Sequence, residues 1–217
     1  MKIHHHLDAA TLSNFAAGTL DSGLSVVAAS HIAWCPSCRE AARDAEQVGG
    51  ALLAELDGAT VSQDCRTRTF DQLDRATLHR FPKRAPEPND IPAPLAQILG
   101  GRRLADLKWK TKAPGWAMVD IPMPTFSRGK LFLVRVGAGK AMPMHGHGGS
   151  EITLILSGAY NDRFGRFAPG DVADLDADVE HEPIAESDQP CVCLVATEAP
   201  TRFRSWVVRL IQPFVGV

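Results

Sequence analysis

A helical unit followed by an antiparallel β-sandwich or barrel is the architecture that this 217-residue chain predicts. Three observations predict it. Residues 1–56 are rich in Ala and Leu and carry apolar residues at helical spacing. Five prolines fall among charged residues between Phe81 and Pro94, a composition that marks a domain boundary. Beyond them the chain changes to short apolar runs separated by Gly, Pro and Asp clusters, as in antiparallel β folds. The length suits two domains. We place a helical domain at residues 1–85, a proline-rich linker at 86–94 and a β domain at 95–217.

The helices follow from caps and periodicity. Asp8 caps a first helix carrying Leu12, Phe15 and Ala16, and Gly18 closes it. The Asp21-Ser22 pair caps a second, in which Leu24, Val27, Ala28 and His31 share one face at i, i+3, i+4 and i+7. Pro36 suits the first turn of a third helix running to about Leu56, where its missing N–H breaks no hydrogen bond. Gly58 to Thr67 is polar and reads as a tether that includes Cys65. Phe70, Leu73, Thr77, Leu78 and Phe81 then form an apolar stripe on a separate helix, ringed by Arg66, Arg68, Arg75, Arg80, Lys83 and Arg84. That stripe packs either back on the first three helices or into a groove on a partner. In the second half, Leu131–Val136, Ile152–Leu156, Cys191–Val195 and Trp206–Ile211 read as strands.

Composition bounds the function. A formal charge of −2 argues against a nucleic-acid or membrane partner, and no apolar stretch is long enough to span a bilayer. The five cysteines are an odd number in a chain with no visible export signal. They indicate metal or redox chemistry rather than a disulfide framework, and a cytoplasmic location. His31, Cys35 and Cys38 form an HxxxCxxC run, three metal-ligating groups within two helical turns, with His6 available upstream as a fourth. Zinc takes four N/S ligands in a tetrahedron, which such a set supplies. The helical core is thin, since Phe15 and Trp34 are its only aromatic residues. A structural zinc, which contributes about 10–16 kcal/mol of folding free energy, makes up the deficit.

A second candidate set lies downstream. Gly139, His145, His147, Glu151 and Gly158 fit the first motif of the cupin family: glycine, five residues, HxH, three residues, glutamate, six residues, glycine. Alternation on a strand puts both histidines and the glutamate on one side. Pro169-Gly170-Asp171 resembles the turn of the second cupin motif, and His181 stands where that motif has its histidine. The gap from Gly170 to His181 is longer than the usual pattern, and no asparagine follows the histidine, a departure that counts against catalysis. Zinc, manganese, iron and nickel all suit three histidines and a carboxylate.

The HxxxCxxC run behind an N-terminal histidine resembles the zinc-dependent anti-sigma factors, and its fusion to a cupin quartet narrows the resemblance to the ChrR type. The likeness spans essentially the whole chain. It implies a zinc-bound helical anti-sigma domain, with His6 at the position of the family ligand, and a cupin-like domain holding a second metal, zinc being favoured. It further implies a non-enzymatic inhibitor that binds an extracytoplasmic-function sigma factor one-to-one. The cupin domain would govern its release under singlet oxygen or related oxidative stress. The rival reading is a cupin dioxygenase or isomerase with a zinc-stabilised accessory module. Direct DNA binding is disfavoured, because the ligand-bearing helices lack an Arg/Lys stripe. Cys191 and Cys193 share one strand face, either as small buried hydrophobes or as a redox-sensitive pair. His79 reads as a solvated helix residue.

Overall fold

Residues 2–75, 91–123 and 129–200, and the backbone of Arg202 and Phe203, are described by the structure, a computed structural model. Most of the proline-rich segment, His79, the Phe81 end of the apolar stripe and the run 206–211 lie outside the described residues.

The expected caps set the helices. Asp8 Oδ1 accepts the Thr11 N–H at 2.6 Å and opens α1 (Ala9–Ala16); Gly18, at φ +69°, supplies the left-handed turn that ends it. Asp21 accepts the Gly23 N–H at 3.0 Å at the start of α2 (Ser22–Trp34). Cys35 ends α2 and caps α3 (Pro36–Ala54), with Pro36 in its first turn. The tether is shorter than expected, because α4 (Cys65–Arg75) already begins at Cys65. No residue of α4 is buried, so over the described residues its stripe does not pack back on the bundle: Phe70 and Leu73 stay exposed.

Two strands precede the first one anticipated, giving β1 (Lys110–Ala113), β2 (Trp116–Ile121) and β3 (Lys130–Val136). Then come β4 (His145–Gly146), β5 (Glu151–Ser157), β6 (Tyr160–Asp162), β7 (Gly165–Phe167) and β8 (Val172–Leu175). The rest are β9 (Glu180–His181), β10 (Ile184–Ala185), β11 (Cys191–Thr197) and β12 (Arg202–Phe203). They form a six-stranded sheet, β1-β2-β3-β11-β5-β8, and two three-stranded sheets, β10-β6-β7 and β12-β4-β9. Every pairing is antiparallel. This is the cupin-like fold expected of the second half. At Gly158, φ is +69° and a Cβ would stand 2.3 Å from the Pro190 carbonyl oxygen, so only glycine fits the turn after β5.

The central strands are apolar on both faces because both are covered. Leu131, Leu133, Ile152, Leu154, Leu194 and Ala196 point one way, into a core shared with Leu24, Val27 and Ala28 of α2. Phe132, Val134, Ile155, Cys191, Cys193 and Val195 point the other way, into the sheet interior. Helix α2 is thus enclosed, with the sheet on one side and α1 and α3 on the other. The helix α5 (Ala93–Ile98), which follows buried Ile91 and Pro92, packs Leu95 against the same core. The thin helical core expected from composition therefore draws apolar area from the sheet. Among the described residues, no helix is long and apolar enough to cross a membrane.

Candidate metal centres

The first cluster is built at the junction of α2 and α3. His31 sits in the last turn of α2, Cys35 caps α3 and Cys38 opens it, so one bend aims all three inward, where they are buried. His6 reaches them from the segment before α1. Its Nδ1 stands 3.3 Å from Cys35 Sγ and 3.6 Å from Cys38 Sγ, while His31 Nε2 lies 3.2 Å from Cys38 Sγ. All four donor atoms fall within 4.8 Å of one another. His31 Nδ1 is 2.9 Å from the Gly170 carbonyl oxygen. A carbonyl only accepts, so Nδ1 carries the proton and Nε2 keeps its lone pair toward the sulfurs. Burial lowers the His31 pKa to about 4 and raises that of the Cys38 thiol to about 11. Neutral imidazoles and sulfur donors at this spacing fit a borderline-soft cation such as zinc, whose uptake displaces the thiol protons.

The carbonyl that orients His31 belongs to the β domain, which also holds the segment carrying His6. Asp171, fully buried, accepts the backbone N–H groups of His4 at 2.6 Å and His5 at 3.0 Å through Oδ1, and that of Ala168 at 2.9 Å through Oδ2. The His5 ring stacks on Phe167 with centroids 4.0 Å apart. Asp8 N–H donates to Asp174 Oδ2 at 3.1 Å. The turn from β7 to β8 is therefore an outer wall of the helical cluster. Sequence reasoning missed this role; Asp171 was legible only as part of a turn.

The second cluster gathers His145, His147, Glu151 and His181, all buried, with donor atoms again within 4.8 Å of one another. The expected cause of their convergence needs correction. They do not alternate along one strand: β4 is only His145–Gly146, His147 lies beyond it, and Glu151 opens β5 after a turn. His145 instead pairs across the short sheet with His181 of β9, and the turn brings Glu151 back beneath them. His147 Nδ1 stands 3.1 Å from Glu151 Oε2.

Hydrogen bonding prepares this quartet for a cation. His145 Nδ1 donates to the Pro143 carbonyl at 2.9 Å, and His181 Nδ1 donates to Asp162 Oδ2 at 3.1 Å. Each acceptor takes only a proton, so both Nε2 atoms present lone pairs, and these face each other at 3.1 Å. Two facing lone pairs repel, and a shared cation relieves the repulsion. Among the described residues, neither ring nitrogen of buried His147 makes a well-formed hydrogen bond, which suits a metal ligand. Burial lowers the His145 pKa to about 4, leaving a neutral donor. Burial works against the Glu151 carboxylate, but His147 and the other two histidines outweigh it and hold the group below its ordinary pKa. Thr153 Oγ1 donates to Glu151 Oε1 at 3.2 Å. Asp162 and Thr153 were also missed from sequence; Asp162 stands in a loop-like stretch with no motif to single it out.

Cys191 and Cys193 are both buried, with sulfurs 3.6 Å apart, on the wall of a cavity beside His145, Glu151 and His181.

Residues 101–200 match the family described as the ChrR Cupin-like domain. The chain is 40% identical, over 217 residues and the full length of both proteins, to the anti-sigma-E factor ChrR of Cereibacter sphaeroides. Among solved structures it resembles a chain of the complex of Rhodobacter sphaeroides SigE with the anti-sigma ChrR. That likeness has a TM-score of 0.79 and 37% identity, over 90% of this chain and 100% of that one.

Proposed function

Because this chain belongs to the ChrR family of anti-sigma factors, we propose that it binds an extracytoplasmic-function sigma factor one-to-one and keeps it inactive. The full-length relationship to an anti-sigma-E factor carries this reading. It makes the chain a regulator rather than an enzyme. The proposed sigma-binding part is residues 1–85, joined through 86–94 to a sensing part at 95–217. We place the inhibitor in the cytoplasm, where its target works.

Exposed apolar side chains support a docking face. Val48 and Leu52 lie four residues apart near the end of α3, with Leu53 beside them and Leu56 just past the helix. Phe70 and Leu73 of α4 are similarly exposed. A helix face of this kind buries its stripe in a partner groove.

We assign His6, His31, Cys35 and Cys38 to a structural zinc, and His145, His147, Glu151 and His181 to a second metal, zinc by preference, with manganese or iron also compatible with those donors. Loss of inhibition under singlet oxygen or related oxidants would start at the second cluster. Any such signal must change the relative free energies of bound and released states. The turn carrying Gly170 and Asp171 offers a route: it touches His31 and the segment of His6 on one side and continues into β8 on the other. There Leu175 pairs with Glu151.

Co-expression with the sigma factor encoded beside it is the test. The expected outcome is a one-to-one complex that Cys35→Ser plus Cys38→Ser abolishes. Failure of the wild-type pair to co-purify would overturn the assignment.

A further inference from the structure

The cavity against the second cluster holds a polar group that neither cluster uses. Tyr160, the first residue of β6, is 4% exposed, and its hydroxyl has no hydrogen-bond partner among the described residues. It lines a cavity of about 60 Å³ together with His145, Glu151 and His181. The rest of the wall is largely apolar, with Phe132, Val134, Met142 and Val195 among its members. The other polar groups near the quartet are engaged: Thr153 with Glu151, and Asp162 with His181. An unpaired buried hydroxyl is costly unless something accepts from it.

The cavity specifies its occupant by size and polarity. At roughly 10–15 Å³ for each water-sized atom, 60 Å³ admits about four to six such atoms. The wall demands an apolar body, and the phenol demands an oxygen acceptor. A charged oxygen accepts a hydrogen bond more strongly than a neutral one, which favours a carboxylate over an alcohol of the same shape. A small carboxylate meets all these conditions. One oxygen faces the quartet, and the other accepts the Tyr160 O–H. Burial, then Cys193, Asp162 and Glu151, push the Tyr160 pKa well above its ordinary value, so the phenol remains a donor.

We propose that this cavity is a binding site for a short-chain monocarboxylate of two to four carbons, held by a hydrogen bond from Tyr160 beside the second metal. The inference rests on the reading of His145, His147, Glu151 and His181 as a metal site.

Calorimetric titration of the zinc-loaded full-length protein with isobutyrate, after elemental analysis of its metal content, tests it. Isobutyrate should bind saturably, and isobutanol, of similar shape but neutral, at least tenfold more weakly. Tyr160→Phe keeps the ring and removes the donor. It should retain both metal equivalents and lose at least tenfold in isobutyrate affinity, the size of one hydrogen bond to a charged acceptor. Equal affinity in Tyr160→Phe, or equal binding of isobutanol, overturns the proposal, as does a metal-replete protein that ignores isobutyrate. A quartet that takes up no metal overturns the underlying reading and the proposal with it.

Discussion

The two clusters solve the same problem in opposite ways. In the helical one, His31, Cys35 and Cys38 come from adjoining turns of α2 and α3, and only His6 arrives from elsewhere. In the sheet, His145, His147, Glu151 and His181 come from two short strands, a loop and the start of a long strand. The helical donors are sulfur and imidazole and form a compact set facing one another. The sheet donors are harder, and one side of them faces an apolar cavity. The first arrangement suits a cation that holds a fold together; the second leaves room beside the cation for another molecule. In both, an oxygen acceptor beyond the donors fixes the imidazole tautomer: Gly170 for His31, Pro143 for His145 and Asp162 for His181.

Breaking the helical cluster should have the largest effect. In Cys35→Ser plus Cys38→Ser, one metal equivalent should disappear from elemental analysis while the other remains. Helical circular dichroism should fall as well, because a structural zinc contributes about 10–16 kcal/mol. Retention of a fully helical, metal-free amino-terminal region would erase the contrast drawn between the clusters.

Asp162→Ala comes next. It removes the acceptor of His181 Nδ1–H, and chelator competition should show the second metal bound roughly 10–100-fold more weakly. The helical metal should be unaffected. Asp171→Ala is the reciprocal experiment. It leaves the N–H groups of His4 and His5 without their carboxylate and loosens the segment that carries His6. The expected result is about tenfold faster release of the helical metal, although Asp171 touches no donor atom in that cluster. If release is unchanged, the β domain is not part of that site's outer shell.

The smallest effect concerns Asp174, whose pKa is raised first by burial and then by Asp8 and Asp176, against hydrogen bonds from Asp8 and Thr11. A carboxyl with a raised folded pKa adds stability that is complete below the unfolded value near 3.8 and is lost as pH rises through the folded value. Asp174→Asn should therefore flatten the pH dependence above about pH 4. At neutral pH it should stabilise the chain by about 1 kcal/mol or less, read from denaturant midpoints.

Legibility followed the same divide. Every donor of both clusters could be named from sequence, because His and Cys at helical spacing, and the glycine-flanked HxH with its glutamate, are local patterns. The reason the sheet donors meet was not legible: His145 faces His181 through strand pairing between distant segments, not through alternation on one strand. The short strands β6 to β10 were missed because two to four residues carry no readable period. Strand β1 begins with Lys110-Thr111-Lys112, whose polarity hides an edge strand.

The chain by itself determined the caps at Asp8 and Asp21, the bend at Cys35-Pro36, the fully apolar central strands and the identity of the side chains that cluster. These depend on backbone geometry and on burial of neighbours near in sequence. Tertiary structure alone decided that α2 lies against the sheet, that Asp171 grips the segment of His6, and that Tyr160 lines the cavity with its hydroxyl buried. Those contacts join residues far apart along the chain. They form only when the apolar faces of helix and sheet leave water together, and no local pattern encodes which polar groups that shared burial brings within reach.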